Sequence, residues 1–305
     1  VAENLTQSNY NDTGLTGSTT YYYRVIAKDQ AGQASSPSPE TSATTTGAPV
    51  ARVTQDLEVL YTFQEGSGST INDVSGTGTA LNLTVETPAN IDWSNPDGGL
   101  LLSSATRLTS GSNATSLINA VQASNEITLE AWVRTADIDQ DGPARIISLS
   151  GSSSTRIITL GQDFDNQVNS YWYAARVRTN DASTDDNGLL NGENFSTSNQ
   201  FSSPVKHHVV YTRAANGTEK FFVDGSVVTT GNRPGDFSNW NNYPLLLGNE
   251  QGSERPWLGT YYLVSAYSRA LTDSEVAQNY AANDGHGGSP PATLPNLTAN
   301  APSAT

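Results

Sequence analysis

The chain has 305 residues, and its 30 acidic against 15 basic side chains give a formal charge of −15 at pH 7. That balance repels phosphate backbones and anionic lipid, so it argues against nucleic acid and membrane surfaces as partners. The absence of cysteine removes disulfides, thiolate zinc sites and cysteine nucleophiles, and a hydrophobic content of 35% beside abundant Gly, Ser, Thr and Asn points to an all-β chain.

The chain opens on Val and contains no Met, which reads as a piece of a longer polypeptide. Residues 9–46 carry alternating aromatic and aliphatic positions, and residues 35–50 then turn to Pro, Ser and Thr, the composition of a linker. Leu57, Val59, Tyr61 and Phe63 share one face of a predicted strand. Ile127, Leu129, Ala131 and Val133 oppose Thr128, Glu130, Trp132 and Arg134 on another. Residues 220–223 and 226–228 flank Asp224-Gly225, a dipeptide that tolerates the positive φ of a tight hairpin turn. Strands are also predicted at 245–247 and 261–267. One helix is predicted: Thr272 and Glu275 match a capping box, and Val276, Ala277 and Tyr280 follow at helical spacing. From Asn283 the chain becomes Gly-rich and then Pro- and Thr-rich, too poor in large apolar residues to pack and so a tether.

Residues 9–46 resemble the second half of a fibronectin type III module through Leu15, Thr19, Tyr21, Tyr23-Arg24-Val25, Ala27 and Gly32. The resemblance implies that Tyr21 is the corner tyrosine, its hydroxyl bonded to the upstream backbone. Residues 57–284 resemble a laminin G-like jelly roll of the concanavalin A-like lectin/glucanase superfamily. Five stretches carry this likeness: LEVLYTFQEGSGSTINDVSGTG at 57–78, ITLEAWVRT at 127–135, GPARIISLS at 142–150, HHVVYTRAANGTEKFFVDG at 207–225, and RPWLGTYYLVSAYSRALTDSEVAQNYAA at 255–282. Together they imply an antiparallel jelly-roll sandwich preceded by a partial fibronectin type III sandwich. The expected organisation is a partial module at 1–47, a linker at 48–55, the jelly roll at 56–284 and a disordered tether at 285–305. Many relatives have an acidic residue where Tyr262 stands.

Glucan-cleaving relatives carry Glu-x-Asp-x-x-Glu on one strand, because retaining hydrolysis needs two carboxyl groups roughly 5–5.5 Å apart. Glu130 has no acidic partner at i+2 or i+4, so it reads as structural, and no catalytic residue is expected. His207 and His208 head a strand with no positioned serine and read as structural too, while His286 falls in the tether. Two patterns would suit Ca²⁺, a cation that takes oxygen ligands. Asp137, Asp139 and Asp141 alternate before Gly142, although Ser148 stands where a loop of that kind needs Glu; Asp73 lies near Glu65 in a second acidic turn. An acidic hairpin or ordinary turn chemistry accounts for the same residues.

Sugar rings stack on exposed aromatics, and their hydroxyls bond neighbouring polar groups. Two clusters have this composition: Tyr171, Trp172 and Tyr173 beside Asp163, Asp165 and Asn169, and Trp240 and Tyr243 among Asn239, Asn241 and Asn242. Residues 179–204 form an unusually long polar connection. The expectation is therefore a non-catalytic recognition module of a secreted or cell-surface multidomain protein, with a polysaccharide or glycan as ligand and neighbouring domains covalently tethered on both sides. The alternative is a structural or adhesive spacer that binds protein or nothing.

Overall fold

The computed structural model describes residues 12, 15–16, 19–45 and 50–286, apart from 141, 153, 187, 198–200 and 253 within the last range. Two units are distinguished, one within Val1–Val50 and the other Ala51–His286. In the first, strands β1 (Thr20–Tyr23) and β2 (Thr41–Thr44) pair antiparallel, and the Tyr21 hydroxyl accepts the Thr16 N–H at 2.8 Å.

The second unit begins with strands β3 (Leu57–Tyr61), β4 (Thr70–Ile71), β5 (Leu83–Val85), β6 (Ile91–Asp92), β7 (Leu100–Leu102) and β8 (Leu108–Asn113), then helix α1 (Thr115–Ser124). It continues through β9 (Ile127–Thr135), β10 (Ala144–Ser152), β11 (Thr155–Asp165), β12 (Ser170–Val177), β13 (Phe195–Ser196) and β14 (Lys206–Arg213). It closes with β15 (Thr218–Val223), β16 (Ser226–Asn232), β17 (Pro244–Leu247), β18 (Gly259–Tyr267) and helix α2 (Asp273–Ala282).

These strands make two antiparallel sheets. One, here the β9 sheet, runs β16-β15-β14-β9-β18-β7-β6, with β3 also paired to β18; the other, the β11 sheet, runs β13-β12-β11-β10-β17-β8-β5-β4. Both sheets mix strands distant in sequence, as a jelly roll does and a meander does not. The sandwich core is one cluster, drawn from Leu129, Ala131 and Val133 of β9 and from Leu149, Ile158, Leu160 and Val177 of the β11 sheet, among others. The expected alternation of β3 and β9 thus faces this core. At Asp224-Gly225 both φ values are positive, 49° and 75°, as a two-residue hairpin of matching twist requires.

Two elements depart from expectation. Helix α1 has no counterpart in the sequence reading because Ala114 caps it without a side-chain bond, and only Asn125 at its C-terminus, in the left-handed region, is a recognisable stop. The packed unit also exceeds the limits of 56–284. Val53 joins a second apolar cluster with Leu57, Val210, Phe222, Tyr267, Leu271 and Val276, so part of the expected linker belongs to the fold. At the other end, His286 is not in a free tail. Its Nδ1 accepts the Gly99 N–H at 3.1 Å, so its Nε2–H is the donor, lying 2.6 Å from the Thr62 carbonyl. The remainder of the expected tether, residues 287–305, lies outside the described residues.

Candidate functional site

Both ends of the packed unit meet on the outer face of the β9 sheet. Along β9 the residues that do not face the core are Thr128, Glu130 and Trp132, and all three are nonetheless buried. Glu130 is fully buried and accepts hydrogen bonds from Arg52, His208 Nε2 (2.7 Å), Ser265 (2.8 Å) and Asn279 Nδ2 (2.9 Å). Burial alone would raise its pKa; Arg52 and His208 outweigh that and hold the carboxyl at about 2. Trp132 is flanked by Tyr280 of α2, ring centroids 5.5 Å apart and nearly parallel, and by His208 at 4.9 Å. This face is closed by α2, and its carboxylate is saturated with donors, so Glu130 is structural, as its isolation in the sequence suggests.

The outer face of the β11 sheet is different. Register places Ser148, Thr159 and Arg176 in one cross-strand row, Ser150 and Arg156 in the next, and Arg145 opposite Gly161 on the other side. Trp172 lies opposite Asp163 at the far end of the same face. Trp172 and Arg176 are partly exposed, and Ala174 alone lies between them on that side of β12. Asn194, from the long polar connection, ties the face together: its Oδ1 accepts Arg176 Nε at 2.6 Å, and its Nδ2 donates to Asp163 Oδ2 at 3.3 Å. Glu250, fully buried, accepts from Arg145 Nε at 3.0 Å and from the Ser150 hydroxyl. Arg255 is brought alongside by its own carbonyl, which accepts the Arg145 N–H at 3.1 Å.

Four guanidiniums therefore cluster on one face of a strongly acidic chain. Burial, then the neighbouring charges of Arg145 and Arg176, press Arg156 down to about 9. Burial, then Arg145, bring Arg176 to about 10 despite Asp163. All four remain charged at neutral pH, and the crowding favours an arriving anion.

The aromatic clusters expected from sequence are only partly realised. Trp172 is on the surface, but Tyr171 and Tyr173 are 0% and 1% exposed and face the core, where Tyr173 Oη and His207 Nδ1 lie 2.9 Å apart. Strand alternation places Trp172 on one side and both tyrosines on the other, so they cannot touch a ligand while the sandwich is closed. Trp240 is likewise corrected. It is 6% exposed, its ring centroid lies 4.3 Å from that of Phe237, and its Nε1 donates to the Arg178 carbonyl at 2.6 Å. Tyr243 is half-buried against Gly151. Eight residues of β11 separate Asp163 from the hairpin beside Gly151, about 26 Å at strand rise, so Trp172 and Tyr243 do not form one site.

The acidic patterns mostly serve turns. Asp73 accepts N–H bonds from Leu60, Ser75 and Leu81 at 3.0–3.1 Å, and Glu65 accepts the Asn72 N–H at 2.8 Å. Asp137 accepts the Asp139 N–H at 3.5 Å, and Asp141 lies outside the described residues. Among the described residues no group of three or more His, Asp or Glu side chains is gathered as a metal site. The arginine cluster went unnoticed in the sequence, although ARIIS, TRIIT and AARV each put one Arg at the outward parity of successive strands.

Two antiparallel sheets with crossed connections, one closed by a helix and one presenting a polar face, define a jelly-roll sandwich. The chain belongs to the concanavalin A-like lectin/glucanases superfamily, whose Laminin G 3 model matches residues 109–277. No curated protein sequence matches it. Among solved structures it is similar to a botulinum neurotoxin type C chain, whose cell entry depends on interaction with two ganglioside molecules (12% identity, TM-score 0.50, 74% of this chain and 51% of that one). It is also similar to a Trypanosoma rangeli sialidase (19%, 0.50, 80% and 35%) and to domain 4 of a GH43 extracellular arabinanase from Geobacillus stearothermophilus, solved with arabinotriose (15%, 0.49, 74% and 98%). At these identities the likeness shows fold alone, and the chain spans about half the length of the first of them.

Proposed function

We propose that the chain is a non-catalytic carbohydrate-binding module of a larger secreted or cell-surface protein, and that its ligand lies on the outer face of the β11 sheet. One observation carries the reading: Trp172, partly exposed, shares that face with Asp163, Asn194 and Arg176, an apolar ring beside fixed hydrogen-bonding groups. A saccharide needs this combination, C–H faces against the indole and hydroxyls against the amide and charged groups. Superfamily membership is compatible with binding or cleavage; the residues favour binding, because Glu130, the one strand carboxylate the sequence singled out, is saturated by four donors beneath α2.

The pairing of β1 with β2 and the bond from Thr16 to Tyr21 support reading the first unit as the end of a fibronectin type III module joined to this binding module. Tethered neighbours on both sides fit that arrangement. The test is a glycan array and polysaccharide affinity electrophoresis of the full chain and of Trp172→Ala. Binding that falls at least about tenfold in the variant while thermal unfolding stays unchanged supports the reading; a face stack of this kind contributes on the order of 1–2 kcal/mol. Binding untouched by the change, silence across the panel, or turnover of any glycan overturns it. Silence favours the spacer.

A further inference from the structure

The arginines of the candidate face point to the class of sugar. Three of them lie on adjacent strands, Arg145 on β10, Arg156 on β11 and Arg176 on β12, with Arg255 held against the first by a backbone bond. Against them, Glu250 is tied to Arg145 and Ser150 beneath the face, while Asp163 and Asp185 are the carboxylates whose charges reach Arg176. Four cations facing three anions leave an excess of positive charge in a chain of net −15. Such a local reversal has no stabilising role: like-charged guanidiniums packed together repel, and burial of 96% or more at Arg145 and Arg156 adds a desolvation cost. A visiting anion would relieve both.

We propose that this cluster receives the carboxylate of an acidic sugar unit, a uronate or a sialate, in a glycan whose neighbouring unit stacks on Trp172. This rests on the carbohydrate reading above and narrows it. Guanidinium forks match a carboxylate in two parallel bonds, which a lysine cluster would not do. Trp172 and Arg176 are four residues apart on one side of a strand, about 13 Å, a spacing that suits successive units of a chain rather than one ring. The Asn194 amide beside both offers a donor and an acceptor to hydroxyls, which favours a saccharide over an acidic polypeptide.

The experiment is titration calorimetry of the full chain with oligogalacturonate, alginate oligomers, sialyllactose, carboxyl-reduced oligogalacturonate, heparin oligosaccharide, neutral laminarin and arabinan oligomers, and poly-glutamate. Expected is binding to at least one carboxylated sugar, weakening with salt, lost on carboxyl reduction, and reduced at least about tenfold in Arg176→Lys and Arg255→Gln. Arg176→Lys keeps the charge and removes the fork, and an unchanged melting temperature in both variants shows that they fold. Binding only to the neutral oligomers overturns this inference and leaves the carbohydrate reading standing, as does binding only to heparin. Binding only to poly-glutamate, or to nothing, overturns both.

Discussion

Glu130 shows how one side chain fastens remote parts of the sequence. Its four donors come from residue 52, from β14, from β18 and from α2, so the carboxylate ties the first and last segments of the packed unit to its central strands. A buried charge of this kind stabilises only while its partners remain. Glu130→Ala is expected to destabilise the unit by about 3–5 kcal/mol in urea unfolding, leaving Arg52 without its partner. The pH dependence follows from the same carboxyl. Its folded pKa of about 2 lies below the ordinary 4.5, so the unfolded chain binds the proton first, and this contribution is complete above about pH 5 and fades as pH falls toward 2. A shift of that size corresponds to about 3 kcal/mol. Stability measured between pH 6 and 2.5 should decline in the parent protein and decline less steeply in Glu130→Gln.

At the scale of elements, α2 is the seal that makes one sheet face interior while the other stays available. Its start is specified locally: the Thr272 hydroxyl accepts the Glu275 N–H, the Glu275 carboxylate accepts the Thr272 N–H at 2.9 Å, and Arg269 grips that carboxylate with both terminal nitrogens at 2.7 and 2.9 Å. Thr272→Ala should reduce stability by about 1 kcal/mol. Adding Glu275→Ala should cost less than the sum of the single changes, since either one dissolves the same box; a double-mutant cycle on thermal unfolding checks this. The capping box was legible because its residues act on their own backbone within three positions. Helix α1 was not, since its capping residue Ala114 makes no side-chain bond, and its apolar residues, Leu117, Ile118 and Val121, acquire meaning only against the sandwich core. The aromatic run at 171–173 illustrates the same limit. Composition marks it as a sugar platform, but period-2 geometry divides it into one surface ring and two core rings.

For the whole molecule, the division between legible and hidden follows the distance over which residues cooperate. Strand alternation, the Asp224-Gly225 turn and the five family stretches identify the jelly roll because each is a local pattern. The arginine cluster spans positions 145 to 255 and exists only once three strands are in register, and the boundaries depend on contacts made across the sheet. Asp284 is fully buried against Lys206, and His286 bridges Gly99 and the Thr62 carbonyl. From composition alone these residues belong to a loose tail; in the structure they close the unit. Both core clusters are drawn from Val53 to Val276, so Ala51–His286 has all the apolar packing it needs. Expressed alone, residues 51–286 should unfold cooperatively with a melting temperature within a few degrees of the full chain. A version ending at residue 282 loses the Asp284 ion pair and the His286 bonds, together about 2–3 kcal/mol at ordinary hydrogen-bond values. For a domain of this size that corresponds to roughly 4–12 °C in calorimetry, while glycan binding at the β11 sheet, on the opposite outer face of the sandwich, should persist below the lowered transition.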